Sequence, residues 1–471
     1  MRYHLVTLGC PKNVADSDKL EALLRGGYHE PTDRPARADL IVVNTCGFLE
    51  AAREESIDTI LRLALRKRPG QKLVVAGCLS QIYARQLRKE VPEVDALFGV
   101  EAWEQVAALA GPPAGRAGTA ARPRHARPSG AEAPFDTLEA SRSPRPSAYL
   151  KISDGCNAPC AFCIIPRIKG RLHSVEPEAL VAEARRLAAQ GVQELVLVAQ
   201  DSTAYGRDRG QHDGLPELLE RLAEALPPAD GGPWIRVMYA YPGHVSARLA
   251  RTMASLPQVC HYLDIPLQHA SAAVLRRMRR PSNPDRLRQM FARLRSAMPD
   301  IALRTTFIVG YPGETEAEFE EMLDFVREMR FDHVGAFVYS PEPGTPAARA
   351  PEQVPEAVKR RRYRRLMRLA QEVSLARNQE WVGRELTVLV ESEAASAGGG
   401  SAQTGGRLAA FGGGDGRRPM GDEVFAGRSY RDAPEVDGLV LGPGRPPPGS
   451  MVRVRVERAL PYDLWGSLVS S

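Results

Sequence analysis

Three closely spaced cysteines constrain this 471-residue chain more than any other feature. Cys156, Cys160 and Cys163 follow the spacing CxxxCxxC, which can bind three irons of a 4Fe-4S cluster and leave the fourth iron open. The usual ligand of such an iron is S-adenosylmethionine, which the reduced cluster splits to give a 5'-deoxyadenosyl radical. The alternative, a zinc knuckle, needs a fourth Cys or His at short spacing, and His173 lies ten residues further on. We therefore interpret the motif as a cluster loop.

The cysteine content and the charge set broad limits on the kind of protein. Seven cysteines spread over this length fit no secreted disulfide scaffold. The chain has no signal-like segment and no apolar run of about twenty residues, so we expect a cytoplasmic protein without a membrane span. The net charge of +6 is modest for this size and does not by itself indicate a nucleic-acid-binding protein.

Three predicted strands in the first segment each end close to a cysteine. Apolar runs over Tyr3–Leu8, Leu40–Val43 and Leu73–Ala76 alternate with helical patterns over Asp16–Arg25 and Ala51–Arg66, which predicts an α/β domain. Ligands of open α/β folds gather at the carboxyl edge of the sheet. The cysteines that follow the three strands, Cys10, Cys46 and Cys78, therefore indicate a second cluster with an open iron. The alternative is that three small apolar residues simply pack near turns.

The central segment repeats a strand and helix unit, which predicts an α/β fold of the partial (β/α)6 barrel type. The predicted strands are Ala148–Ile152, Glu194–Ala199, Ile235–Ala240, Tyr262–Ile265, Leu303–Val309 and Val334–Tyr339. Helical patterns lie between them over Glu176–Gln190, Leu215–Ala225, Val245–Ser255, Pro284–Ala297 and Glu316–Met329. Working residues of parallel barrels follow the carboxyl ends of strands. The residues that we predict to bind the cofactor are Phe162, Gln200, Asp201, Gly310 and Glu314.

Each residue at these strand ends also has a simpler structural explanation. Asp201 is equally able to cap a helix or fix a loop, and His269 to form a hydrogen-bonded wall. The run from Gly310 to Glu314 is compatible with an ordinary turn before a helix. Cys260 has no cysteine near it in sequence, so we predict a packed thiol.

Composition predicts the remaining boundaries. Residues 111–146 are rich in Pro, Gly, Ala, Arg and Ser, which is typical of a flexible linker. We therefore predict domains over 1–110, 147–378 and 379–471. The arginine-rich run from Lys359 to Arg368 lies in a predicted helix, Pro355–Glu380; such a run is usually a solvated face, although it also suits contact with ribosomal RNA.

The last segment predicts a small OB-like β-barrel. Its five predicted strands are Glu385–Ser392, Arg407–Phe411, Val424–Ser429, Gly438–Leu441 and Met451–Leu460. From residue 379 onward there are ten arginines against twelve acidic residues, which favours a basic protein partner over a phosphate backbone. We expect Asp432, Glu435 and Asp437 to lie on the partner-binding face.

These motifs together resemble the methylthiotransferases of the radical S-adenosylmethionine superfamily along nearly the whole chain. The motifs Leu8–Asn13, Gly155–Pro166 with Lys169–Arg171, and Asp432–Gly438 look like the branch that modifies a ribosomal protein. The resemblance implies a TRAM-like C-terminal barrel, and it implies that Cys10, Cys46 and Cys78 bind an auxiliary cluster. The glycine-rich region Gly398–Arg418 departs from the family pattern.

The resemblance also implies a reaction. Enzymes of this branch attach a methylthio group to the β-carbon of an aspartate in small-subunit ribosomal protein S-twelve, with two 4Fe-4S clusters, S-adenosylmethionine and an external electron donor. Two alternatives stay open. One is a tRNA methylthiotransferase that acts on a modified adenosine near the anticodon, and the other is a non-catalytic iron-sulfur or RNA-binding accessory protein.

Overall fold

The computed structural model describes residues 1–111, 146–227, 233–394 and 424–469. They fall into two compact units, of which the first holds residues 1–111 with Arg167–Lys169 and the second holds the others. No helix in these four ranges is both long enough and apolar enough to cross a lipid bilayer. The glycine-rich region Gly398–Arg418 and nearly all of the predicted linker lie outside the described residues.

The first unit is a five-stranded parallel sheet with helices, as the alternating pattern predicts. The strand order is β2-β1-β3-β4-β5. Every residue of the central strand β3 is buried, as expected for a parallel strand that helices cover on both faces. The elements are β1 (Arg2–Thr7), α1 (Pro11–Gly26), β2 (Glu30–Pro31), β3 (Leu40–Thr45), α2 (Glu50–Leu65), β4 (Lys72–Gly77), α3 (Cys78–Glu90), β5 (Ala96–Leu97) and α4 (Trp103–Ala108).

The second unit contains the six-stranded parallel sheet of an open (β/α)6 barrel. Its order is β13-β12-β11-β10-β9-β6, so successive strands of the barrel are neighbours. The elements are β6 (Ser147–Lys151), β7 (Ser153–Asp154), α5 (Ile165–Ile168, whose last two residues belong to the first unit), β8 (His173–Ser174), α6 (Pro177–Ala189), β9 (Glu194–Val198), α7 (Gly214–Ala225), β10 (Trp234–Val237), α8 (Ala247–Ser255), β11 (Val259–Asp264), α9 (Ala272–Arg277), α10 (Pro284–Ala297), β12 (Ala302–Val309), α11 (Glu316–Met329), β13 (His333–Val338) and α12 (Glu356–Gln379).

Local capping explains why helix bounds in the barrel were predictable. The Asn283 side chain accepts hydrogen bonds from the first backbone amides of α10, and Pro284 occupies its first turn. At α11, Thr315 and Glu318 form a reciprocal capping box. The predicted bounds of both helices agree with the structure residue for residue.

The same unit also contains a closed five-stranded barrel of β14 (Glu385–Ala394), β15 (Val424–Ser429), β16 (Val440–Pro443), β17 (Met451–Ala459) and β18 (Leu464–Leu468). The sequence did not predict β18, and the strand that was expected over Arg407–Phe411 lies outside the described residues. β18 is short and contains Gly466, which weakens the strand pattern. A Cβ at Gly466 would lie 2.2 Å from the Arg455 carbonyl oxygen, so this glycine allows β17 and β18 to approach.

A buried ionic network joins the two barrels of the second unit. Glu194, at the start of β9, is fully buried, and its oxygens lie 2.6 Å from nitrogens of Arg236 and of Arg428. Burial alone would raise the pKa of Glu194, but Arg428 and Arg236 lower it to about 2, so the carboxylate stays charged. Arg428 belongs to β15, and its pairing with Glu194 fixes the small barrel on the large one.

The prediction that Asp432, Glu435 and Asp437 lie on a partner-binding face of the small barrel is wrong for Asp432 and Asp437. The Asp437 carboxylate accepts hydrogen bonds from Tyr262 at 2.7 Å and from Arg304 at 3.2 Å. Asp432 accepts one from Ser429 and lies 3.5 Å from His333. Both carboxylates are buried between the barrels, and only Glu435 is exposed. Asp437 neutralises Arg304 of the large barrel, and Asp432 is buried against Ser429 and His333, so neither carboxylate is available to a partner from solution.

We expect the substitution Arg428→Met to lower the free energy of unfolding by about 3 to 5 kcal/mol, because it leaves the buried Glu194 without one of its two cations. Urea denaturation followed by tryptophan fluorescence measures the change. The matched control is Arg453→Met on β17. The Arg453 side chain is 69% exposed in its pair with Glu385, so its loss is expected to lower the free energy of unfolding by less than about 1 kcal/mol. Equal urea midpoints for the two variants would mean that the network contributes no net stability.

Candidate active site

The cluster loop follows β6 and β7 at the carboxyl edge of the large barrel. Gly155 has a φ of +74°, and a Cβ there would lie 2.1 Å from the Arg171 carbonyl oxygen, so only glycine fits. The Ala161 amide donates to the Met278 carbonyl at 3.0 Å, which ties the loop to the end of α9. These contacts hold Cys156, Cys160 and Cys163 on a fixed loop, and all three thiols are free of disulfides.

Each of the three sulfurs accepts a hydrogen bond from one donor. The Cys156 Sγ accepts from the Ala158 amide and the Cys163 Sγ from the Ile165 amide, both at 3.4 Å. Arg280 donates to the Cys160 Sγ at 3.6 Å. Burial is the main cause that raises the pKa of Cys163 to about 12, and the sulfurs of Cys160 and Cys156 act in the same direction. Amide and guanidinium donors aimed at neighbouring sulfurs are the environment that an iron-sulfur cluster needs.

The described residues contain no group of three His, Cys, Asp or Glu side chains that is arranged around one metal ion. An iron-sulfur cluster has a different requirement, because each cysteine binds a different iron.

Three of the predicted cofactor residues lie on the cluster loop or directly after β12: Phe162 belongs to the loop, and Gly310 and Glu314 follow the strand. The half-buried Phe162 packs edge-on against Tyr311, with ring centroids 6.4 Å apart. Gly310 has a φ of +74°, and the buried Glu314 accepts hydrogen bonds from the Gly310 and Tyr311 amides at 2.9 and 3.2 Å. Glu314 therefore shapes the end of β12, and its contact with a cofactor stays a prediction.

A residue of helix α12 pairs with Glu314. Arg362 donates to the Glu314 carboxylate at 2.8 Å and is itself buried. The arginine-rich run is thus partly structural, and its solvated face consists of Arg360, Arg361, Arg364 and Arg368. Contact of this face with RNA stays a prediction.

Gln200 and Asp201 lie where predicted, at the end of β9. Gln200 donates to Asp154 at 2.8 Å, and its Oε1 atom is buried without a hydrogen-bond partner among the described residues. A buried acceptor of this kind fits a ligand amino group, because leaving it unpaired is costly. The Asp201 carboxylate, in contrast, is bonded to Thr203 at 2.5 Å and to His244 at 2.8 Å.

His269 and Cys260 lie outside the cluster loop, and both are buried. His269 is fully buried and accepts from the Ser271 amide at 3.0 Å, with Glu314 3.5 Å away, so it forms part of the wall of the barrel. Cys260 is buried among apolar side chains, and burial raises its pKa to about 12. The prediction of a packed thiol is confirmed.

A second set of three cysteines lies at the carboxyl edge of the sheet in the first unit. Cys10 precedes α1, Cys46 follows β3, and Cys78 is the first residue of α3. A Cβ at Gly9 would lie 2.6 Å from the Cys46 Cβ, and one at Gly47 would lie 2.9 Å from the Cys78 backbone. The three loops therefore converge closely, and the absence of two side chains is what allows it.

Polar side chains brace these loops, and sequence reasoning gave them no role. Asn13 donates to the carbonyls of Leu8 and Thr45 at 2.7 and 3.1 Å, which ties the first loop to the second. The pKa of Cys78 is raised to about 12. Burial is the main cause, Cys46 and Cys10 act in the same direction, and Lys169 opposes the rise. Three neighbouring cysteine sulfurs with the Lys169 ammonium close by form a donor set that suits a cationic cluster, to which cysteines bind as thiolates. The position of Asn13, three residues after Cys10, was the available sequence signal.

The comparison with family descriptions assigns three segments. The Radical SAM superfamily matches residues 150–326, the description "Uncharacterized protein family UPF0004" matches residues 2–99, and the TRAM domain matches residues 415–469. Each cysteine triad thus lies within a different matched segment.

Solved structures share the fold of the chain at low sequence identity. The radical S-adenosylmethionine methyltransferase TsrM from Kitasatospora setae, with cobalamin and a [4Fe-4S] cluster bound, has a TM-score of 0.53 at 15% identity and covers 74% of both chains. The same enzyme with tryptophan substrate and an S-adenosylmethionine analogue has a TM-score of 0.51 and covers 74% of this chain and 75% of that one.

Curated relatives match from end to end. Ribosomal protein uS12 methylthiotransferase RimO from Chloroflexus aurantiacus is 49% identical, with all of both chains covered. The RimO proteins of Roseiflexus sp. and Herpetosiphon aurantiacus are 47% and 44% identical, with 100% of this chain and 98% and 100% of theirs covered. This chain belongs to the ribosomal protein uS12 methylthiotransferase (RimO) family of the radical SAM superfamily.

Proposed function

We propose that this chain attaches a methylthio group to the β-carbon of an aspartate in ribosomal protein uS12. The observation that carries the proposal is the full-length match to a uS12 methylthiotransferase. In addition, each cysteine triad of this chain lies inside a segment that matches a family description. uS12 is another name for the small-subunit ribosomal protein S-twelve.

In this proposal each triad holds one 4Fe-4S cluster. Cys156, Cys160 and Cys163 hold the first, with sulfur hydrogen bonds from two backbone amides and Arg280. Cys10, Cys46 and Cys78 hold the second. Three cysteines leave one iron of each cluster open, whereas a simple electron carrier binds its irons with four. When they are bound, the first cluster and S-adenosylmethionine supply a deoxyadenosyl radical, and the second cluster supplies the sulfur.

The residues of the barrel position and protect the reacting groups. Gln200 offers its buried Oε1 to the cofactor amino group, and Phe162 with Tyr311 provides an apolar surface next to the loop. An aspartate β C–H bond is too weakly acidic for removal by a base at neutral pH, so the site has to hold this carbon close to the radical and exclude water.

The test uses the anaerobically reconstituted chain with a reductant, a sulfide source and S-adenosylmethionine. We expect purified unmodified uS12 to gain about 46 Da, the difference between SCH3 and H, at one aspartate. The anticodon stem-loop of a tRNA with an N6-modified adenosine serves as competitor. Methylthiolation of the RNA with none on uS12 would contradict the proposal and favour the tRNA enzyme.

A further inference from the structure

A cavity of about 260 Å³ opens beside the cluster loop in the second unit. One wall is formed by residues of the cluster loop, among them Cys156 and Asn157, and the opposite wall by the turns that follow β9 and β10. Besides the Tyr241 phenol, that second wall has three charged or titratable side chains, those of Asp201, Arg207 and His244. The sequence singled out only Asp201 of these three.

Asp201 is committed to the protein and acts on His244. One carboxylate oxygen accepts from Thr203 at 2.5 Å, and the other lies 2.8 Å from the His244 Nδ1. A carboxylate only accepts hydrogen bonds, so Nδ1 carries the proton. Tyr241 packs against the His244 ring, with centroids 4.9 Å apart, and Arg280 lies 4.4 Å from the Tyr241 ring. The imidazole is thus fixed, and its Nε2 has no partner within the described ranges.

Arg207 is a second unoccupied group on a rigid turn. Its neighbour Asp208 accepts from the Ser174 amide and hydroxyl at 2.8 and 2.6 Å, and Arg209 pairs with Glu176 at 2.7 Å. These contacts anchor the turn on both sides of Arg207. The Arg207 guanidinium itself is exposed and has no acceptor in the part of the chain that the structure describes.

The cavity therefore offers the Arg207 guanidinium and the His244 imidazole, which in its protonated form donates from Nε2 as well as from Nδ1, while the Asp201 carboxylate is already hydrogen-bonded to Thr203 and His244. This arrangement complements a carboxylate. Two carboxylates meet in the proposed reaction, that of S-adenosylmethionine and that of the substrate aspartate. The carboxylate of S-adenosylmethionine would be held at the cluster that Cys156, Cys160 and Cys163 bind in the proposed function, which leaves the aspartate carboxylate for the cavity.

We propose that Arg207 and His244 bind the side-chain carboxylate of the aspartate in uS12 and so restrict the reaction to aspartate, with Asp201 as a positioning residue. This inference rests on the proposed function. The chemistry alone does not demand aspartate, because a C–H bond next to an amide carbonyl is about as easily broken by a radical. Preference for aspartate over asparagine must then come from recognition.

The test compares uS12 with its target Asp→Asn variant, by kcat/KM for methylthiolation and by Kd for fluorescently labelled uS12. We expect the native chain to prefer aspartate by at least about 100-fold in kcat/KM. Arg207→Gln and His244→Gln should each reduce this preference at least about tenfold, by slowing the aspartate substrate and not the asparagine one, and Arg207→Lys should restore part of it. Arg248→Gln, an exposed arginine on α8, is the control.

Three outcomes would count against the inference, and they are distinct. Variants that keep the native preference, with the iron content of the control, would overturn it while leaving the proposed function intact. A raised Kd for S-adenosylmethionine with an unchanged preference would assign the cavity to the cofactor carboxylate and overturn it as well. A native chain that leaves uS12 unmodified would refute the proposed function and this inference together. Because Arg207 is exposed, its glutamine variant is expected to fold and decides the matter alone.

Discussion

The triple variant in which Ala replaces Cys156, Cys160 and Cys163 is expected to lose all reductive cleavage of S-adenosylmethionine and about half of its iron. The reconstituted native chain should bind about eight irons, four for each cluster. The cluster loop is tied to the barrel by contacts of Gly155 and Ala161 that do not involve the sulfurs, so the fold should persist without them. Iron analysis and chromatographic detection of 5'-deoxyadenosine measure the two effects.

Cys260→Ala is the matched control for this experiment. It removes a buried thiol of the same barrel that lies among apolar side chains, and it should keep both the iron and the cleavage. Cleavage that survives the triple replacement would show that these cysteines do not hold the cluster that binds S-adenosylmethionine.

The triple variant in which Ala replaces Cys10, Cys46 and Cys78 is expected to separate the two chemistries. It should also retain about four irons, still cleave S-adenosylmethionine, and add no methylthio group to uS12. The reason is that these cysteines lie in the first unit, whereas Cys156, Cys160, Cys163 and Gln200, which we propose to bind the first cluster and the cofactor, lie in the second. A variant that bound the full complement of iron would remove the basis for the second cluster.

The sequence predicted the elements that local patterns determine. Apolar periodicity and capping residues located the barrel strands and the bounds of α10 and α11. The position of the three cysteines at one edge of the sheet in the first unit was predictable, because the carboxyl ends of parallel strands lie at the same edge. β18 was missed because a five-residue strand with an internal glycine carries little periodic signal.

Contacts between residues far apart in sequence were beyond local patterns. Asp432 and Asp437 look like surface acids in the sequence, and only the folded chain brings them to His333 and Arg304. His244 and Arg207 were missed for the same reason. A lone histidine in a turn has no signature until Asp201 lies 2.8 Å from it.

The intact mass of uS12 from cells that lack this chain tests the proposed function most directly. We expect uS12 from these cells to be about 46 Da lighter than uS12 from the parent strain, with the methylthioadenosine content of tRNA unchanged. Equal uS12 masses in the two strains, together with loss of methylthioadenosine from tRNA, would contradict the assignment.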